Sequence, residues 1–211
     1  MFHEIPIIDI SPLSEPNSHP KFLKKIGREI REACKNVGFF YVINHTVSES
    51  HLNNLILSIQ NFFNLSLKEK MKIYIKNSDI YRGYTPVGKE ITNNQYDWHE
   101  CVDFGPYFIQ DNAQGINSNQ LLGPNQWPKK PNNLRKLLES HWRQMIPLGR
   151  KITQGISISL GLPKNHFEPF INKSHSYFRI SSYPPYEKNK NGNIGKGIGP
   201  HTDYGFLTIL F

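Results

Sequence analysis

The sequence predicts an α+β fold, on three observations. Apolar residues recur at the helical period over about 20–37, 48–63 and 132–160. Short runs rich in aromatic and β-branched residues stand at 4–10, 39–43, 97–104, 177–183 and 205–211. The two kinds of segment alternate at first, give way to strands and loops from about 80 to 130, and return to β structure after one long helix. With 211 residues, 37% of them hydrophobic, the chain can bury a sizeable core.

Taken in order, Glu4 to Ile10 forms a strand ended by Ser11-Pro12. A helix follows, with Phe22, Ile26, Ile30 and Val37 on its apolar face and Gly38 as the residue that leaves it through a left-handed backbone. Phe39 to Ile43 is the next strand. Ser48 is placed to cap a second helix, in which Leu52, Leu55, Ile56, Ile59 and Phe63 keep the helical period. Asp97 to Phe104 reads as a strand closed by Gly105-Pro106, and 110–131, rich in Asn, Gln, Gly and Pro, as an irregular surface loop. The long helix is expected to kink or divide at Pro147 and to stop at Gly161. Its His141, like His51 in the second helix, reads as a surface or boundary residue. Tyr177 to Tyr183 is a strand broken by Pro184-Pro185, and Glu187 to Asn193 a mobile loop. Gly205 to Phe211 is an apolar, aggregation-prone strand.

The net charge of +8, from 25 basic and 17 acidic residues, raises the question of an anionic partner. Its sharpest source is Lys21, Lys24, Lys25, Arg28, Arg31 and Lys35, all opposite the apolar face of the first long helix. Such a stripe could lie on an anionic surface, but reads more simply as the solvated side of an amphipathic helix. No zinc-finger, RRM or KH signature accompanies it, so no nucleic-acid partner is expected. No apolar run reaches the 18 residues of a membrane helix, and the opening Met1 to Pro6 lacks the features of a signal peptide. Cys34 and Cys101 suggest neither a disulfide scaffold nor a zinc cluster, so the expected location is cytoplasmic. No sequence feature sets an oligomeric state.

The chemistry-bearing pattern is His201-Thr202-Asp203. On an extended strand, residues two apart point the same way, so one imidazole nitrogen and one carboxylate oxygen can meet a single Fe(II), two thirds of a 2-His-1-carboxylate triad. A bare His-x-acid is a poor signal: nine histidines and 17 acids in 211 residues give about 0.7 such pairs by composition. A second pair, His166-Phe167-Glu168, follows Gly161-Leu162-Pro163 in what reads as a short helix, where residues two apart diverge. His201 differs through its surroundings, with the flexible Gly197-Ile198-Gly199-Pro200 before it and an apolar run after it.

Seven segments stand in an informative order: Ile5-Pro6-Ile7-Ile8-Asp9, Gly38 to His45, Arg82-Gly83-Tyr84, Gly123 to Pro128, Leu160-Gly161-Leu162, Tyr183-Pro184-Pro185 and His201-Thr202-Asp203. Through them the chain resembles the iron(II)- and 2-oxoglutarate-dependent oxygenases, in their isopenicillin N synthase-like branch, over essentially its whole length. The resemblance implies a helical N-terminal region packed on a double-stranded β-helix, or jelly-roll. It implies a non-haem dioxygenase N-terminal region at 1–130, and the long helix with the first part of the jelly-roll at 131–211. It implies Fe(II) held by His201 and Asp203, 2-oxoglutarate as cosubstrate contacted by Tyr183, and ascorbate as a reductant. Where the family often has Asn two residues before that tyrosine, Ser181 stands here, a shorter hydrogen-bonding group.

By the same resemblance His99, Asp103 and Tyr84 border the substrate cavity, and the polar side chains of His99 and Asp103 point to a polar small molecule as substrate. From the residues alone, His99 and Asp103 equally fit the solvent side of an edge strand, and Gly83 a turn. The family's second histidine ligand and its 2-oxoglutarate-gripping Arg-x-Ser belong to later strands, so the expectation is a jelly-roll truncated at its C-terminus, with little or no turnover of its own. His45, His99 and His175 are the remaining candidates for a third ligand. The alternative is a catalytically inactive fragment or pseudoenzyme acting as an interaction module through an exposed β edge.

Overall fold

Ile7–Asp9 (β1) and Tyr41–Ile43 (β2) pair in parallel with Ile8 opposite Val42. Parallel neighbours need a crossover, which Ser11–Ser14 (α1) and Pro20–Asn36 (α2) supply. The computed structural model describes residues 4–105, 123–171, 176–185 and 197–211. The expectations for Met1 to His3, 106–122, His175 and Glu187 to Asn193 lie outside them. The chain divides into two compact units, the first drawing on 4–48, 141–171 and 205–211, the second on 49–140 and 176–204 within those limits.

The core of the first unit joins Ile8, Ile10 and Leu13 to Ile26, Ile30 and Ala33 of α2 and to Leu148 and Ile152 of Leu134–Ser159 (α5). Full burial of each large aliphatic side chain contributes about 1.5–3 kcal/mol. The two helices approach closely because glycine lies at both contacts. A Cβ on Gly27 would stand 2.7 Å from Cγ2 of Ile158, and one on Gly155 2.6 Å from Cδ1 of Ile30. The predicted apolar face of α2 holds for Ile26 and Ile30, while Phe22 is 53% exposed and Ala33 is buried instead. Gly38 has φ 83° and its amide donates to the Ala33 carbonyl, as a left-handed helix exit requires.

The second unit opens with Glu49–Phe63 (α3) and Leu67–Lys70 (α4), the latter capped by the Ser66 hydroxyl. Then come Gly83–Thr85 (β3), the hairpin of Ile91–Thr92 (β4) and Gln95–Tyr96 (β5), Glu100–Phe104 (β6) and Phe178–Ser182 (β7). The sheet order is β3-β6-β7, antiparallel throughout, with Asp103 opposite both Gly83 and Arg179. The hairpin turns on Asn93 and Asn94, whose φ of 50° and 61° are those of a type I′ turn.

Several expectations are corrected. The strand expected from Asp97 begins at Glu100, and it lies between two neighbours, so the edge-strand reading of His99 and Asp103 fails. Helix α5 runs undivided through Pro147, because Leu148 and Ile152 beyond it are anchored in the core. His141 is fully buried on this helix, with its ring 4.6 Å from that of Phe211, and is no surface residue. In 123–131, expected as surface loop, Asn125 is buried and bonds both the amide and the carbonyl of Gly105. Residues 205–211 turn Leu207 and Ile209 to the core in period-2 fashion but join no ladder among the described residues. A short helix, Glu168–Ile171 (α6), and two 3-10 turns, Met71–Ile73 and Ile75–Asn77, complete the described elements.

Candidate metal centre

The segment 201–203 is not a regular strand, yet His201 and Asp203 converge as expected: Nε2 of His201 lies 3.2 Å from Oδ1 of Asp203, both side chains about half exposed. Nδ1 of His201 lies 2.8 Å from the Gly199 carbonyl oxygen. A carbonyl only accepts, so Nδ1 donates to it, and Nε2 is the nitrogen that faces the carboxylate. An imidazole nitrogen and a carboxylate oxygen suit Fe(II), and the backbone bond on the far ring nitrogen is the orientation a metal-ligating histidine needs. These residues fit the metal. Among the described residues no third His, Cys, Asp or Glu closes a cluster with this pair.

The preceding backbone is pinned to the β4–β5 hairpin and to His99. Asp97 Oδ1 accepts the Gly199 amide at 3.1 Å, the Asn93 amide donates to the Pro200 carbonyl, and His99 Nδ1 lies 3.1 Å from the Gly197 carbonyl oxygen. The glycines expected as a source of flexibility serve close approach instead. A Cβ on Gly197 would meet the Tyr183 ring at 2.8 Å, and one on Gly199 the Thr92 side chain at 3.0 Å.

Side chains alternate along β6, so Cys101 and Asp103 share one sheet face with Arg179 and Ser181 across the ladder, and His99, just before the strand, joins them through Glu90. That face carries a charged network. Arg179 donates to both oxygens of Asp103, Nε to Oδ1 at 2.7 Å and Nη2 to Oδ2 at 2.9 Å, and to both oxygens of Glu90 at 2.9 Å. His99 Nε2 donates to Glu90 Oε2 at 3.0 Å. Both ring nitrogens of His99 face acceptors, an arrangement that favours the imidazolium form. The Glu90 bond raises its pKa against burial, and the same bond, with Arg179, holds the Glu90 carboxyl at about 2. Tyr183 packs its ring 5.3 Å from that of His99, and burial raises its phenol.

The network brings His99, Asp103 and Tyr183 together, and Tyr84 stands apart on the opposite sheet face. There its hydroxyl donates to Glu100, which Lys70 also reaches at 2.6 Å, and its ring meets Phe62 edge-on. Glu90, His99 and Cys101 also lie within the reach of one ion, their ligand atoms all within 4.8 Å of one another. The partners already on His99 and Glu90, and a thiol whose pKa burial pushes up, make this an ion-pair network. His99 therefore offers no free nitrogen as a third ligand, while His45 Nδ1 accepts the Val47 amide at the end of β2.

Sequence reasoning missed Glu90, Asn93 and Arg179 as members of this region. The Asn93-Asn94 pair between Ile91-Thr92 and Gln95-Tyr96 is a hairpin signal that would have brought Glu90 beside Asp97 and His99. Among the described residues no helix is long and apolar enough to cross a membrane, and Cys34 and Cys101 are both free.

Residues 5–130 match the family described as non-haem dioxygenase in morphine synthesis, N-terminal. A homoarginine-6-hydroxylase of Oryza sativa subsp. japonica is 35% identical over 221 residues, covering 99% of this chain and 66% of the relative. One from Arabidopsis thaliana is 34% identical, with 99% and 65% covered. A 2-oxoglutarate-dependent dioxygenase of Dothideomycetidae sp. (strain 11243) is 30% identical, with 100% and 56% covered. The chain thus spans somewhat under two thirds of the length of these curated relatives. In fold it is similar to a full-length Neurospora crassa protein solved in complex with alpha-KG, at a TM-score of 0.76 and 22% identity, covering 95% of this chain and 61% of that one.

Proposed function

This chain belongs to the iron(II)- and 2-oxoglutarate-dependent oxygenase family, and from that premise we propose that the protein takes part in oxidising a small polar organic molecule, with His201 and Asp203 as ligands of Fe(II). The observation that carries the reading is the convergence of His201 Nε2 and Asp203 Oδ1 at 3.2 Å, with the other imidazole nitrogen committed to Gly199. Bound iron with 2-oxoglutarate supplies oxidative decarboxylation coupled to oxidation of a substrate C–H bond. The chain's own part is to hold the metal on two side chains of one short segment, to orient that segment from the hairpin, and to place Tyr183 beside it for the cosubstrate.

His99, packed against the Tyr183 ring, and Asp103 are proposed to border the substrate, with Tyr84 behind them in support. The homoarginine-6-hydroxylases among the relatives favour an amino acid of the arginine type as substrate. A relative from Dictyostelium discoideum described as a probable iron/ascorbate oxidoreductase favours ascorbate as reductant. We place the activity in the cytoplasm, in keeping with the two free cysteines. Residues 1–130 are proposed as the N-terminal region and 131–211 as the long helix with the start of the jelly-roll.

The test is an anaerobic titration of the protein with Fe(II) and 2-oxoglutarate, read by visible absorbance. A saturable charge-transfer band that His201→Ala abolishes is the expected result. Folded protein that gives no band, or a band indifferent to His201→Ala, refutes the assignment.

A further inference from the structure

Asp97 is 3% exposed, and every polar group it carries is committed. Its amide donates to the Glu90 carbonyl at 3.0 Å and its carbonyl accepts the Gly88 amide at 3.1 Å. One carboxylate oxygen accepts the Thr92 hydroxyl at 2.6 Å, and the other accepts the Gly199 amide at 3.1 Å. The carboxylate is thus fixed by its own hairpin before it reaches the segment that carries His201.

Gly199 is held at both ends of its residue. Its amide is bound to Asp97, and its carbonyl accepts Nδ1–H of His201 at 2.8 Å. It also lies so close to the hairpin that a Cβ would stand 3.0 and 3.1 Å from Thr92 side-chain atoms. A buried carboxylate on the amide restrains Gly199 where it stands, and with it the carbonyl that orients the His201 ring.

We infer that Asp97 is a positioning residue for His201: acting through Gly199, it holds the carbonyl that orients the imidazole by Nδ1 and so aims Nε2 at the metal. The inference deepens the proposed function and rests on it for the word metal, but the effect on the imidazole holds in metal-free protein. Asn93, on the Pro200 carbonyl, is a second strap on the same segment. Asp97 itself touches neither ligand atom in any recorded bond, so its influence is that of an outer support, for which a change typically weakens metal binding about 10–100-fold.

The experiment has two readouts on the same variants. In 15N NMR of metal-free protein, His201 shows a hydrogen-bonded Nδ1–H in the wild type and loses that hydrogen-bond signature in Asp97→Ala. Asp97→Asn, which still offers an oxygen to the Gly199 amide, keeps it. In titration with Co(II) as the probe, Asp97→Ala binds about 10–100-fold more weakly than wild type and Asp97→Asn changes little. Circular dichroism checks each fold. Should Asp97→Ala fail to fold, Thr92→Val takes its place, since it frees one carboxylate oxygen while leaving the backbone bonds of Asp97 intact, and a partial loss of the hydrogen-bond signature supports the role. A folded Asp97→Ala, or Thr92→Val in its stead, with that signature unchanged overturns the inference. Co(II) binding that His201→Ala leaves unaltered overturns the metal assignment instead, and the Nδ1–H hydrogen bond alone then decides the role of Asp97.

Discussion

Arg179 and Asp103 are direct partners across the β6–β7 ladder, and the guanidinium closes on the carboxylate through two parallel bonds. Asp103 is only 2% exposed, whereas the Arg179 side chain is 31% exposed and also reaches Glu90. The pair joins two strands at a point where neither has an apolar side chain to offer, and Arg179 is the cation that grips the carboxylate through both of its oxygens.

Arg179→Ala strands that buried carboxylate. The expected loss is about 3 kcal/mol, the low end of the range for breaking a buried pair, because Arg179 is partly solvated. Urea unfolding measures it. The double variant with Asp103→Asn should be more stable than Arg179→Ala alone; equal stability would mean that the pair does not act as one.

Lys70→Met tests the opposite face of the sheet. Lys70 and Glu100 are both under 10% exposed and 2.6 Å apart, so removing the ammonium leaves Glu100 with the Tyr84 hydroxyl and no cation. The expected loss near neutral pH is about 3–5 kcal/mol. The double variant with Glu100→Gln should recover part of that loss; equal stability of the single and double variants would place the destabilisation in packing.

The Glu90–His99 pair predicts a stability maximum in mildly acidic solution. Glu90 is depressed from 4.5 to about 2, so its contribution is complete above 4.5 and disappears as pH falls towards 2. His99 is raised above 6.5, so its contribution is complete below 6.5 and disappears as pH climbs through the raised value. Thermal unfolding followed from pH 3 to pH 9 should be most stable between about 4.5 and 6.5. His99→Gln should flatten the alkaline limb, and its persistence unchanged would assign that limb elsewhere.

Gly27→Ala sets helix propensity against packing. Alanine gains up to about 1 kcal/mol within a helix, but its Cβ would stand 2.7 Å from the branched Ile158 Cγ2 and 3.3 Å from backbone atoms of α5. Overpacking of this kind costs about 1–3 kcal/mol, so the net effect is a loss of roughly 1 kcal/mol, read as a lowered melting temperature. A stabilised Gly27→Ala would show that the two helices can move apart freely.

What the sequence made legible follows from how local each signal is. The α2 helix, its buried Ile26 and Ile30 and its exit at Gly38 depend on neighbours a few residues away, and they stand where periodicity puts them. His201 and Asp203 converge because two residues apart is also local. The faces of β6 were not legible, because nothing nearby says whether a strand has one neighbour or two, and Tyr84 was grouped with His99 although pairing turns it to the other side. Arg179 was passed over as an ordinary strand residue, since its partners lie 76 and 89 positions away. Pro147 shows tertiary anchoring prevailing over a local breaker.

The interleaving of the first unit bears on its synthesis. The Ile26, Ile30 and Ala33 side of α2 finds Leu148 and Ile152 only after more than a hundred further residues have been joined. At about 5–20 residues per second, that is a delay on the order of 10 s. Throughout that interval the nascent chain offers a greasy, lysine-edged helix to whatever passes the ribosome. In that time Ile8, Ile10 and Leu13 are the only members of this core already synthesised beside it, and the cover from α5 arrives last.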